Sequence, residues 1–151
     1  MNQKQTQQSK IMAFGTFDIF HKGHKNFLEQ AWRCGDYLIV VIARDKTVKE
    51  VKRQLPQNDE NIRRQVVIEN NLADEVILGS LKNKYEVIRK YQPEVICLGY
   101  DQKIFTENLR KKLKKFDLDK TKIVKLKSYQ PEKYKSSKLR KTKLDIQLNF
   151  S

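Results

Sequence analysis

The only two histidines among 151 residues stand three positions apart, in His21-Lys22-Gly23-His24. The pair follows the apolar run Ile11-Met12-Ala13-Phe14 by seven residues, across a polar segment that opens on Gly15-Thr16-Phe17-Asp18. After it, Phe27, Leu28, Ala31, Trp32 and Cys34 keep an apolar face at helical spacing. The histidines therefore fall on a strand-to-helix turn, where two imidazoles, the free amides of the first turn and the positive end of the helix dipole converge on anionic oxygens. Gly23 allows the backbone to come close to such a ligand. The chemistry this spacing suits is phosphate binding. A zinc site is the competing reading, but the only cysteines, Cys34 and Cys97, lie far apart in sequence in apolar settings and lack the short spacing of a metal-binding pair.

Elements that could position such a loop follow along the chain. Cys34-Gly35-Asp36 stops the first helix, and Tyr37 to Ala43 is a continuous apolar run of the kind buried on both faces of a sheet. Similar runs recur at Glu75-Leu78, Glu94-Leu98 and, more weakly, Lys122-Leu126. Helical stretches are expected near Asn61 to Asn70, Asn83 to Tyr91 and Ile104 to Phe116, the second ending before Pro93. Strands alternating with helices give an α/β fold, a doubly wound, parallel, five-stranded sheet. Ligands of such sheets sit beyond the carboxyl ends of the strands. The loop from Thr16 to His24, Ala43-Arg44-Asp45, and Gly99-Tyr100-Asp101-Gln102 all lie at such ends.

Length suits one domain, here residues 10–151, after a disordered lead-in over residues 1–9. Net charge is +14, and residues 103–151 hold 16 Lys and Arg against 5 Asp and Glu. The basic runs Arg110-Phe116 and Lys138-Leu144 carry apolar residues at helical spacing, which reads as amphipathic helices with solvated lysine faces rather than a nucleic-acid surface. The second makes a C-terminal helix. No apolar stretch approaches 18 residues and the cysteines look unpaired, so no membrane partner and a cytoplasmic setting are expected.

Gly15-Thr16-Phe17-Asp18 followed by His21-Lys22-Gly23-His24 resembles the first motif of the cytidylyltransferase-like nucleotidyltransferases, which have a Rossmann-like fold and join a nucleoside monophosphate to a phosphate-bearing acceptor. Ala43-Arg44-Asp45-Lys46-Thr47-Val48, Leu78 to Lys84 and Leu98 to Gln102 look most like the archaeal-type FAD synthase branch. Lys135-Ser136-Ser137-Lys138-Leu139 is similar to the superfamily's closing motif, and the resemblance runs from about Lys10 to Leu139.

The resemblance implies a catalytic set of His21, His24, Lys52 and Arg63. The histidines contact the nucleotide phosphates, Lys52 reaches the reacting phosphates from what reads as a charged loop, and Arg63 opens the third helix region. Gly15, Thr16, Phe17 and Gly23 line the α-phosphate site, Gly99 and Asp101 help hold the nucleotide, and Ser136 and Ser137 receive its β and γ phosphates. Many relatives carry an arginine shortly before the closing serines, where this sequence offers Lys127 or Lys133, and Tyr134-Lys135 lacks the glycine of the cytidylyltransferase branch, which favours ATP over CTP. The implied activity is FAD synthesis from ATP and FMN, with Mg2+ bridging phosphates, no dedicated metal ligands, and a homodimer as the implied assembly. Toward the Mg2+, Asp18, Asp45 and Asp101 could act only from behind its immediate ligands, and Phe20, Tyr100, Phe105 or Tyr129 could line a flavin slot. Two alternatives stand beside it: a cytidylyltransferase acting on glycerol 3-phosphate or another alcohol phosphate, and a non-catalytic nucleotide- or RNA-binding module.

Overall fold

The computed structural model describes residues 8–99 and 102–128. Five parallel strands, β1 (Lys10–Gly15), β2 (Tyr37–Ile42), β3 (Glu75–Leu78), β4 (Val95–Leu98) and β5 (Lys122–Lys125), form one sheet in the order β3-β2-β1-β4-β5. Helices α1 (Lys22–Trp32), α2 (Asp45–Lys52), α3 (Glu60–Glu69), α4 (Glu86–Tyr91) and α5 (Lys103–Lys115) connect them. The order reverses between β1 and β4, so a crevice opens beyond their carboxyl ends.

The central strands are apolar throughout because both of their faces are covered. Ile11, Ala13, Leu38, Val40, Ile42 and Cys97 pack toward Leu28 and Ala31 of α1 and Val67 of α3. The alternate residues Met12, Phe14, Ile39, Val41, Ile96 and Leu98 pack toward Val87 and Ile88 of α4 and Leu109 and Leu113 of α5. The doubly wound five-stranded sheet is as expected; the expected C-terminal helix lies outside the described residues. Ser9, the last residue of the expected lead-in, is already tied to the fold: its carbonyl accepts from the amides of Asp36 and Tyr37, and its amide donates to the Asp36 carboxylate.

Two elements differ from the sequence expectation. The stretch around Lys52 is helix α2, not a charged loop. It buries only Val48, so it leaves no apolar stripe to read; Asp45 in its first turn and Lys49 and Lys52 in its last complement the helix dipole instead. Helix α4 begins at Glu86 rather than Asn83, because the Asn83 side chain accepts from the Tyr85 amide and turns the chain before the helix starts. Cys34 and Cys97, distant in sequence, lie near one another in the fold, and burial followed by the Cys34 thiol pushes the Cys97 thiol up.

Candidate active site

Helix α1 starts beyond the carboxyl end of β1, and His21 is its N-cap. The ring Nδ1 accepts from the amides of Gly23 (3.0 Å) and His24 (3.4 Å), doing the work of the usual Ser or Asp cap. With Nδ1 occupied as acceptor, the neutral ring carries its proton on Nε2. His24 stacks on His21 with ring centroids 3.7 Å apart, and Phe17 and Phe20 each bring a ring within 5.5 Å of the His24 ring. Burial lowers His21 to about 4. His24 falls to about 3, by burial first, then by His21 and Lys52, with Asp18 opposing. At neutral pH the site therefore presents two uncharged imidazoles as directional donors.

That depression fixes the sign of a pH effect. An unfolded chain protonates these rings below about 6.5 whereas the folded one resists until about 4 and 3, so the unfolded state binds more protons in that interval. Stability is complete above about pH 6.5 and is lost as pH falls toward 4. The thermal midpoint should drop between pH 7.5 and 4.5, and drop less in His24→Asn; equal drops in the two proteins would refute a histidine contribution.

Lys52 is exposed in the last turn of α2 and lies within electrostatic reach of His24. Thus three of the four expected catalytic residues come together. Arg63, the fourth, is turned toward backbone carbonyls and Asp45. It is 1% exposed, and its guanidinium donates to the carbonyls of Asn58 (2.9 Å), Thr16 (2.7 Å) and Ala43 (2.8 Å) and to the Asp45 carboxylate (2.7 Å). It joins the ends of β1 and β2 to the start of α3, which makes it a positioning residue. Around it, the first turns of α2 and α3 cap one another. The Asp45 amide donates to Glu60 and the Glu60 amide to Asp45, while the Arg44 guanidinium pairs with Glu60 at 2.6 Å. Burial works against ionisation of Glu60, but the Asp45 amide and Arg44 hold its carboxyl below the usual range.

The phosphate-loop residues are placed by the same network. Gly15 can carry no side chain, because a Cβ there would meet the Phe17 ring at 2.7 Å. Phe17 itself adopts φ 53, which folds its ring back over Gly15 into the core. Thr16 is half-buried with its carbonyl held by Arg63, and Gly23 lies in the first turn of α1. Gly99 ends β4 opposite this loop. Its amide donates to the Gln102 side chain, which in turn donates to the Phe14 carbonyl and straps the two strand ends together. Asp101, Ser136 and Ser137, with Tyr100, Tyr129, Lys133, Tyr134 and Lys135, lie outside the described residues. Phe20 is half-buried against His24, and Lys127 is exposed with its backbone held by the Gln30 amide.

Residue type did not show which backbone groups the scaffold residues hold. Asp18, 3% exposed, accepts from the amides of Gln57 and Asn58; Glu60 and Gln102 likewise serve backbone groups. The partners of Asp18 and Glu60 lie 15 to 40 residues away, and Gln102 reaches Phe14 across 88 residues, so no local pattern announces these bonds. The one available signal was an acidic residue inside the loop motif itself.

Against known proteins, the chain matches the cytidylyltransferase-like family over residues 12–142. A protein of Ferroglobus placidus named FAD synthase is 47% identical over 106 residues, covering 70% of this chain and 68% of that one. A FAD synthase of Picrophilus torridus is 36% identical, over 91% of this chain and 97% of the relative. Among solved structures, a Thermoplasma volcanium protein described as a lipopolysaccharide core biosynthesis protein superposes with TM-score 0.75 at 36% identity, covering 81% of this chain and 98% of that one.

Proposed function

This chain belongs to the cytidylyltransferase-like family, and within it to the FAD synthases, and on that premise we propose that it transfers the AMP unit of ATP to the phosphate of FMN, giving FAD and pyrophosphate. The observation that carries the reading is the stacked, uncharged histidine pair on the N-terminus of α1, with Lys52 in reach, at the crevice where strand order reverses.

In the reaction an FMN phosphate oxygen bonds to the α-phosphorus of ATP as the bond to the bridging oxygen breaks, and pyrophosphate leaves with that electron pair. The attacking oxygen is already anionic, so the site has no proton to remove and needs no general base. It must bring two polyanions together and meet the charge that builds on nonbridging and leaving oxygens. In this reading His21 through Nε2 and His24 donate to α-phosphate oxygens, the first turn of α1 adds its amides and dipole, and Lys52 brings a mobile charge to the leaving phosphates. Being uncharged before substrate binds, the imidazoles sit together without repulsion.

Among the described residues no cluster of His, Cys, Asp or Glu could hold a metal ion, and the Asp18 and Asp45 carboxylates are already engaged by amides and Arg63. We infer that Mg2+ would come to the site with the triphosphate and would neutralise part of its charge there. Dialysis against chelator should leave the thermal midpoint unchanged and abolish transfer of label from α-phosphate-labelled ATP to FAD, with Mg2+ restoring it. Transfer that survives chelation, or a fall in stability on chelation, would contradict this assignment.

No described helix is long and apolar enough to cross a membrane. We place the enzyme in the cytoplasm, with its nucleotide substrates, a compartment that suits its two free thiols.

A further inference from the structure

The loop between β1 and α1 contains two left-handed residues that are not glycine, Phe17 and Ile19, each at φ 53. A β-branched residue rarely adopts this conformation, and it persists only where surrounding contacts impose it. Asp18 lies between them, buried, with both carboxylate oxygens engaged: Oδ2 accepts from the Gln57 amide at 2.7 Å and Oδ1 from the Asn58 amide at 3.0 Å. The Asn58 carbonyl accepts from Arg63, which also donates to the Thr16 carbonyl. A closed ring of hydrogen bonds therefore runs from Asp18 through Asn58 and Arg63 back to Thr16, gripping the chain just before its first left-handed residue and again between the two.

The segment positions the chemistry. Phe17, itself left-handed, and Phe20, directly after Ile19, both bring rings against His24. We infer that Asp18 is a positioning residue: its clasp on the Gln57 and Asn58 amides holds the left-handed Phe17-Asp18-Ile19 backbone so that Phe17 and Phe20 fix the His24 ring toward the α-phosphate. This rests on the function proposed above. Both carboxylate oxygens face backbone amides. Relaxation of Ile19 without the clasp turns the following residues, Phe20 included, away from His24.

A double-mutant cycle tests this, because glycine adopts the left-handed conformation without penalty. Asp18→Asn keeps the shape but replaces one carboxylate oxygen with a donor that opposes an amide. It should lower kcat for FAD formation on the order of 10²-fold with KM for ATP changed little. Adding Ile19→Gly removes the strain the clasp restrains, so the Asp18→Asn penalty, measured against Ile19→Gly alone, should shrink about tenfold. In NMR spectra the His24 ring protons should lose their aromatic ring-current shift in Asp18→Asn and regain it in the double variant. An equal kcat penalty in both backgrounds, or an unmoved His24 signal in Asp18→Asn, overturns the inference and assigns Asp18 to direct contact with the reacting groups. Asp18→Ser, whose hydroxyl still accepts one amide, completes the cycle if the asparagine variant does not fold. Should the wild-type protein form no FAD, the function fails while the His24 signals still decide the role of Asp18.

Discussion

His24→Ala is expected to lower the rate of FAD formation on the order of 10²–10³-fold, the scale seen when one preorganised donor to a developing anionic charge is removed. The sheet should survive, since the His24 ring packs against the loop aromatics and His21 rather than inside either core layer. Circular dichroism and the thermal midpoint should therefore stay close to wild type while kcat falls. His21 offers a contrast. Its ring also caps α1, so His21→Ala should lose turnover and helix stability together, the latter by about 1 kcal/mol. Turnover of His24→Ala within a few-fold of wild type would remove the histidine from the chemistry.

Arg63→Ala should be the most destabilising single change in the described chain. It orphans three partly buried carbonyls and leaves the Asp45 carboxylate without its guanidinium. Leaving several partly buried acceptors without a donor costs about 1–3 kcal/mol each, together a large share of the 5–15 kcal/mol that holds a domain together. The thermal midpoint should fall on the order of 10–20 °C. Arg63→Lys retains charge but not the fork that reaches Thr16, Ala43 and Asn58 at once, so it should restore little. Because Arg63 touches scaffold, its variants should lose activity in step with folded fraction, and activity per folded molecule should fall less than in His24→Ala. A stable but inactive Arg63→Ala would instead return Arg63 to the phosphates.

What the sequence made legible was whatever follows from burial and spacing. Strands buried on two faces appear as unbroken runs such as Tyr37 to Ile42, and the histidine pair marks its own loop because the element before it and the element after it are both periodic. Helix α2 was illegible because a helix that buries one valine has no face to display. Arg63 entered the catalytic set through the resemblance alone. Whether a guanidinium meets a ligand or three carbonyls depends on residues 16, 43, 45 and 58, which only the folded sheet brings together. The strain at Phe17 and Ile19 was equally hidden, since nothing about the residue types announces a left-handed backbone.

The central claim meets its most direct test in pyrophosphate release and product mass, measured with Mg2+ in two parallel reactions: ATP with FMN, and CTP with glycerol 3-phosphate. The account predicts FAD and stoichiometric pyrophosphate in the first and neither product nor pyrophosphate in the second. Turnover confined to the CTP reaction would contradict the flavin assignment, and silence in both would contradict catalysis by the histidine pair on these substrates.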